Sequence, residues 1–361
     1  MLKRLIFVGI IVLPFVSCHN KLDILASYKE SVAVYGLLNQ DDTAQYIRIQ
    51  RVFLGEGNAL IMAQNQDSVY FKPNELKVTL QRFKNGAQVS VDVPASSAME
   101  IVLTETTNQL QPGVFNINQL LYKTNHKLFD DSQYKLVVHS NKSGKEFTST
   151  TAIGLIGDFK SQLTFGGTQQ SILVPNPTGS ILQKNIVPSG VNGNVFCKFG
   201  SPVNSGVCGL TLRFYYTEYY FSGPSVAKYE DFPLGIQYTT QTQGAEEIDL
   251  SYLGDGMMQN IANAIHIDAN IDHRIADSVH FILNAAGFDV SLYNQVNNTT
   301  TLSQDKPSYG NIKDAVGVFS SRREFALVKK INGTGLDRLS KDKLTCLLRF
   351  YGFGGTLLPC N

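Results

Sequence analysis

A chain of 361 residues with 43% hydrophobic and only 17% charged residues has the composition of a folded protein, not of a disordered one. Its 31 Lys and Arg against 30 Asp and Glu leave a formal charge of +1, which excludes the basic footprint of a nucleic-acid binder or a polybasic membrane-surface segment. The length predicts about two domains of ordinary size.

Met1-Leu2-Lys3-Arg4 precedes an apolar run from Leu5 to Val16, which contains Pro14 and closes on Ser17-Cys18. A basic start, a short apolar stretch and a small residue before the break form the layout of a secretory signal peptide. A membrane span needs about 20 apolar residues, so this run is too short to be one. Leu13-Pro14-Phe15-Val16-Ser17-Cys18 resembles a bacterial lipobox, which implies removal of residues 1–17 and palmitate-type acylation of Cys18. More than one acyl chain is needed for stable anchoring, at about 0.8 kcal/mol per buried CH₂. Residues 18–30 then read as a lipidated tether. His19-Asn20-Lys21-Leu22-Asp23 lacks both an acidic run like a surface-export tag and an Asp directly after the cysteine. That pattern points to the outer membrane and leaves its periplasmic and outer faces equally open.

From Ser31 the pattern becomes β-rich. Ser31–Leu38 and Gln45–Leu54 read as strands, the second with Ile47 and Ile49 on one face. Glu75–Phe83 alternates Leu76, Val78 and Leu80 against Lys77, Thr79 and Gln81. Asn85-Gly86 predicts a type I′ hairpin returning through Gln88–Val93. The long interval Gly55–Asn74 is read as holding a short packing helix. Tyr134, Leu136 and Val138 alternate before the turn Asn141-Lys142-Ser143-Gly144 and the returning stretch Glu146–Ile153. Many short strands separated by turns predict an immunoglobulin-like β-sandwich over 28–156. The expected fold class is therefore mainly β, with this sandwich followed by a second β-rich domain over 157–361 carrying one or two short helices.

In that second domain, 166–206 is rich in Gly, Pro and Asn and reads as long loops. Gly209–Phe221 places Leu210, Leu212, Phe214 and Tyr216 on one face of a strand. Asp255–Ile265 is a helix with Asp255 as its cap and Met257, Met258, Ile261, Ala262 and Ile265 on one side. His266–Asp272 resumes strand-like alternation, with Ile267, Ala269 and Ile271 inward. Val279–Leu283 continues as strand, Ser291–Val296 as a helical turn, and Val316–Phe319 and Phe325–Val328 as two late strands. Leu344–Cys360 reads as a final hairpin tied at the chain end.

With Cys18 set aside, Cys197, Cys208, Cys346 and Cys360 form an even set, which in an exported chain favours disulfides. Three pairings are possible, and proximity favours Cys197–Cys208 and Cys346–Cys360, with four buried free thiols as the alternative. No Cys-x-x-Cys supports a zinc ribbon or a redox site.

Two clusters could carry a ligand. Tyr215, Tyr219 and Tyr220 could stack a sugar or peptide, although a β-prone run packing in a core accounts for them as well. Asp268-Ala269-Asn270-Ile271-Asp272 resembles the first half of an EF-hand loop, but His273 replaces the sharp-turn glycine and Val279 the closing glutamate. A metal site at Asp268, Asn270 and Asp272 thus competes with a solvated strand face. No nucleophile elbow, His-Glu-x-x-His or phosphate-binding loop is present, so no cofactor is expected and a non-catalytic role is favoured over an enzymatic one.

The lipobox, the strand Leu212-Arg213-Phe214-Tyr215-Tyr216-Thr217-Glu218-Tyr219 and the stretch Ser308-Tyr-Gly-Asn311-Ile312-Lys-Asp-Ala-Val316-Gly317-Val318-Phe319-Ser320-Ser321 resemble Bacteroidota outer-membrane lipoproteins of a family catalogued as a domain of unknown function. Asp314-Ala315 stands where glycines are more usual in that family. The resemblance implies an accessory partner of an outer-membrane barrel or TonB-dependent receptor, in uptake or export, with no catalytic residues carried over. Two other functions stay open: an envelope hydrolase acting on glycan or peptide, with or without metal assistance, and a structural adhesin-like surface module.

Overall fold

Alternation of Val32, Val34 and Leu38 against Ala33, Tyr35 and Leu37 produces a strand buried on one face, and the same period-2 logic builds most of the molecule. A computed structural model describes residues 30–52, 66–92, 97–109, 118–159, 183–190, 193–297 and 309–360. The stretch read as a signal peptide, most of the expected tether and Cys18 lie outside the described residues. The first ten strands are β1 (Val32–Leu38), β2 (Gln45–Arg51), β3 (Leu76–Lys84), β4 (Ala87–Val89), β5 (Glu100–Val102), β6 (Thr104–Gln109), β7 (Asn118–Thr124), β8 (Gln133–Ser140), β9 (Glu146–Thr148) and β10 (Ile153–Gly154). The short pieces β11 (Gln183–Lys184), β12 (Asn194–Val195) and β13 (Lys198–Gly200) follow. Then come the long β14 (Ser205–Tyr220) and β15 (Val226–Tyr238), with β16 (Glu247–Asp249) and β17 (Tyr252–Leu253) behind them. Helix α1 (Gly254–Ala264), strand β18 (Ile271–Gly287), helix α2 (Phe288–Asn297), strand β19 (Val316–Ile331) and helix α3 (Gly333–Lys341) complete the labelled elements, and a single helical turn at Gln66–Val69 is the short helix expected between Gly55 and Asn74. The protein is mainly β.

The two large sheets divide the work. A six-stranded sheet runs β10-β8-β3-β4, with β5 on β3 and β9 on β8. A nine-stranded sheet runs β15-β14-β18-β19-β1-β2-β7-β6, with β11 on β19. Asn85 and Gly86 join β3 to β4 with φ of 52° and 78°, the pair of positive values a type I′ turn requires.

The nine-stranded sheet crosses the expected domain boundary, because β19 pairs in parallel with β1, Val34 opposite Gly317. That junction explains the stretch around Asn311. Buried Asn311 accepts from the Phe319 amide (2.9 Å) and donates to the Phe319 carbonyl (2.6 Å), so its side chain imitates a neighbouring strand. Gly317 has φ of +106°, and a Cβ there would lie 2.0 Å from the Val34 oxygen. Only glycine fits.

Two hydrophobic cores result. One joins both sheets through Val34, Ile47, Leu80, Tyr134, Leu136 and Phe147, ends with Leu155, and takes in Ile312 and Phe319 from the far end of the chain. The other begins at Ile156 and packs the inner face of β14 and β18 against Met257, Met258 and Ile261 of α1 and Leu339 of α3.

Several expectations are corrected. The two late strands are one, β19, continuous through Arg322-Arg323-Glu324. His266–Asp272 is not a strand: residues 269 and 270 form a turn, β18 begins at Ile271, and Ile267 is 65% exposed. The residue at the α1 N-cap is Leu253, and Asp255 in its first turn pairs with Arg338 instead of capping. Residues 344–360 form a short 3₁₀ turn (Cys346–Leu348) and bends, with no closing hairpin strand. Cys346 and Cys360 are bridged, Cα to Cα 5.5 Å, but Cys197 and Cys208 are separate buried thiols. The reason is pairing: after Cys197 the chain enters β13, which binds β16, whereas Cys208 lies in β14 between β15 and β18. Burial pushes the two thiols up to about 12 and about 11, so both remain protonated and inert.

Candidate functional site

Along β14 the inward residues Leu210, Leu212, Phe214 and Tyr216 are buried, which turns Gly209, Thr211, Arg213 and Tyr215 to the outer face. Register then fixes their neighbours. Gly209 lies between Ile236 and Asn284, Thr211 between Pro233 and Ile282, and Arg213 between Asp231 and His280.

The strand β18 passes directly into α2, and Gly206 permits the tight turn, since a Cβ there would lie 2.4 Å from the Phe288 Cα. Helix α2 folds back over the outer face, where Tyr293 stands edge-on to Tyr35 at 6.4 Å. Between this helix and β15 the sheet is floored by Gly209 and Ala286, whose small size leaves an opening. The pairing of β14 with β15 also slips there, Leu210 facing Gly235 and Thr211 facing Pro233. The result is a cleft of about 450 Å³ with a mostly apolar lining that includes Pro233, Ile236 and Val290. Its polar contributors are Thr211, Asn284, Asn294, Arg322 and Arg323. The arginines are already matched: Arg322 pairs with Asp42 (2.6 Å), and Arg323 pairs with Asp41 (2.8 Å) and Asp158 (2.7 Å).

Next to the cleft lies an aromatic shelf. The Tyr215 ring is 4.5 Å from His280 and 5.7 Å from Tyr229, and the Arg213 guanidinium lies 4.4 Å above Tyr229. Arg213 also makes two parallel hydrogen bonds to Asp231, at 2.7 and 2.8 Å, and these hold the Asp231 carboxyl below its ordinary range. Burial, helped by the Arg213 charge, lowers the pKa of His280 and favours its neutral ring.

The three tyrosines singled out in the sequence do not share one platform. Tyr215 belongs to the shelf. Tyr219 stacks on His273 (4.5 Å), which in turn stacks on Tyr351 (3.9 Å), forming three parallel rings at the end of β14 and β18. Tyr220 donates its hydroxyl to Glu218 at 2.8 Å. Glu218 is itself an ion-pair partner, receiving Arg274 Nε (3.0 Å) and Nη2 (2.9 Å) and the Lys228 ammonium (2.6 Å). Arg274 also donates to the carbonyls of Leu348 (2.6 Å) and His266 (2.9 Å), locking the C-terminal segment and the loop after α1 onto the sheet.

The metal candidate is taken apart by its own neighbours. Asp268 Oδ1 accepts from the Asn270 backbone (2.9 Å) and side-chain amide (3.0 Å), whereas Asp272 faces His273 (2.9 Å) and Arg349 (3.6 Å). Among the described residues no group of three His, Cys, Asp or Glu is placed to hold a metal ion.

The chain matches no model of a known protein family and no curated protein. The site therefore rests on its geometry. The cleft residues Gly209, Ala286, Pro233, Ile236 and Asn294 carried no motif in the sequence. The usable signals were Pro233 and Gly235 punctuating a β-prone run and the doublet Arg322-Arg323.

Proposed function

We propose that the chain is a lipid-anchored binding protein of the outer membrane, an accessory subunit working beside a barrel or TonB-dependent receptor. The observation that carries this reading is the apolar cleft flanked by the Tyr215, Tyr229 and His280 shelf, since ligand sites are concave, largely apolar and supplied with a few placed polar groups. The lipobox at Cys18 supports the anchoring, and the tether reaches β1 at Val32. Leu37 of the same strand lines the cleft, about 17 Å of extended strand beyond Val32. We read the two facing sheets around the first core as an immunoglobulin-like sandwich that presents this surface.

Affinity recovery of the protein from solubilised native membranes tests the proposal. It should bring down an outer-membrane barrel, and Cys18→Ala should move the protein from the membrane to the soluble fraction. Recovery of the protein alone, or membrane attachment that survives Cys18→Ala, overturns the reading.

A further inference from the structure

We infer that the cleft between α2 and β15 takes an uncharged, largely apolar small molecule, oriented by the amides of Asn284 and Asn294 and the hydroxyl of Thr211. The inference rests on the reading of this cleft as the binding site and adds the chemistry of its occupant.

Size comes first. An apolar cavity of about 150 Å³ holds a benzene ring, and the cleft offers about 450 Å³, room for two or three fused or linked rings or a folded acyl segment. Charge comes next. Among the described residues the lining includes no Asp, Glu, Lys or His, and its two arginines face the carboxylates of Asp41, Asp42 and Asp158. An anion would compete with these carboxylates for the guanidinium N–H groups, and a cation would meet no carboxylate among the described lining residues. A cation would be stripped of water without compensation, and an anion would gain only what two arginines already paired to carboxylates can spare, so both are disfavoured. The remaining polar groups, two carboxamides and a hydroxyl, both donate and accept, which suits a neutral ligand with a carbonyl, hydroxyl or amide.

A protein segment fits less well. An extended peptide would reach the cleft along the edge strand β15, but Pro233 lacks an N–H there, the ladder slips at Leu234, and Gly235 has φ of +129°. These features blunt an edge against strand addition. The neighbouring charges of Lys228, Glu230 and Asp231 add to the effect.

The test titrates N-phenyl-1-naphthylamine, a neutral fluorescent probe, into the mature chain carrying Cys18→Ser and purified without detergent. Its anionic relative, 8-anilinonaphthalene-1-sulfonate, is titrated in parallel. One saturable site for the neutral probe is expected, with the sulfonate at least about tenfold weaker. Thr211→Trp on β14 and Asn294→Trp on α2 should each weaken the neutral probe by about tenfold or more, while circular dichroism stays unchanged. The two plugs sit on different elements, so one remains informative if the other misfolds. The exposed apolar side chains Ile267, Leu347 and Phe353 at the C-terminal end provide the control, and Leu347→Ser should leave binding intact. Binding that survives both plugs, vanishes with Leu347→Ser, or is equally tight for the sulfonate overturns the inference. Partner recovery from membranes does not enter this readout, so the accessory role and the cleft chemistry fail separately.

Discussion

Glu218 and Arg274 are each 2% exposed at the side chain, and two charges so far from water are tolerated only when geometry and further hydrogen bonds offset their lost hydration. Arg274 meets that condition with the Glu218 carboxylate and two backbone carbonyls, and Glu218 with Arg274, Lys228 and Tyr220. Removing one partner leaves the other charged and buried. Glu218→Gln is expected to lower stability by about 3–5 kcal/mol in denaturant unfolding. The same group sets an acid limit. Burial works to raise the Glu218 carboxyl, but Lys228, Tyr220 and Arg274 outweigh it and hold it below its ordinary value. A depressed folded pKa means that its contribution is fully present above the unfolded value of about 4.3 and is lost as pH falls through the folded one. Unfolding midpoints should therefore drop below about pH 4.3 in the wild type and change less in Glu218→Gln. Little of this was legible beforehand. Arg274 and Glu218 face each other only because β14 and β18 align across a bulge, and neither sits in a recognisable motif.

Elements with one buried and one open face announced themselves. β1, β3, β8 and β14 alternate cleanly, and Met257, Met258 and Ile261 mark α1 at helical spacing. β15 did not, because an edge strand exposed along most of its length has no apolar face to repeat and carries Pro233 in its middle. β19 looked like two strands since Ser320 to Glu324, between its apolar stretches, are all polar. Its register against β1 depends on one residue. Gly317→Ala forces a Cβ against the Val34 carbonyl at a positive φ, and a loss of about 4 kcal/mol or more, or of folded protein altogether, is expected. Gly256→Ala, in α1 with open space around it, should instead raise stability by up to about 1 kcal/mol. Thermal unfolding of the two variants should shift in opposite directions from the wild type. The cleft was invisible for a related reason: it is formed by missing side chains at Gly209 and Ala286, and an absence leaves no pattern to read.

At the scale of the whole molecule, composition and turn spacing were enough to indicate a mainly β protein. They could not show that the two cores share a sheet, because parallel pairing between chain ends leaves no local trace. The first core includes Ile312 and Phe319, and β1 has β19 on one side. A fragment of residues 19–156 therefore lacks both a strand and two core side chains. It should fail to unfold cooperatively, whereas the chain through residue 361 should do so; urea titration followed by circular dichroism separates the cases. Independent, cooperative folding of the fragment would show that β19 is dispensable to the first core.

The contact of Ser31 with Asp314 spans 283 positions. At a synthesis rate of about 5–20 residues per second, β1 waits on the order of 15–60 s for the strand that completes it. During that interval the N-terminal third offers an apolar strand edge and an open core to any binding chaperone. A chain threaded through a membrane pore in the meantime forfeits no folding that it could have finished.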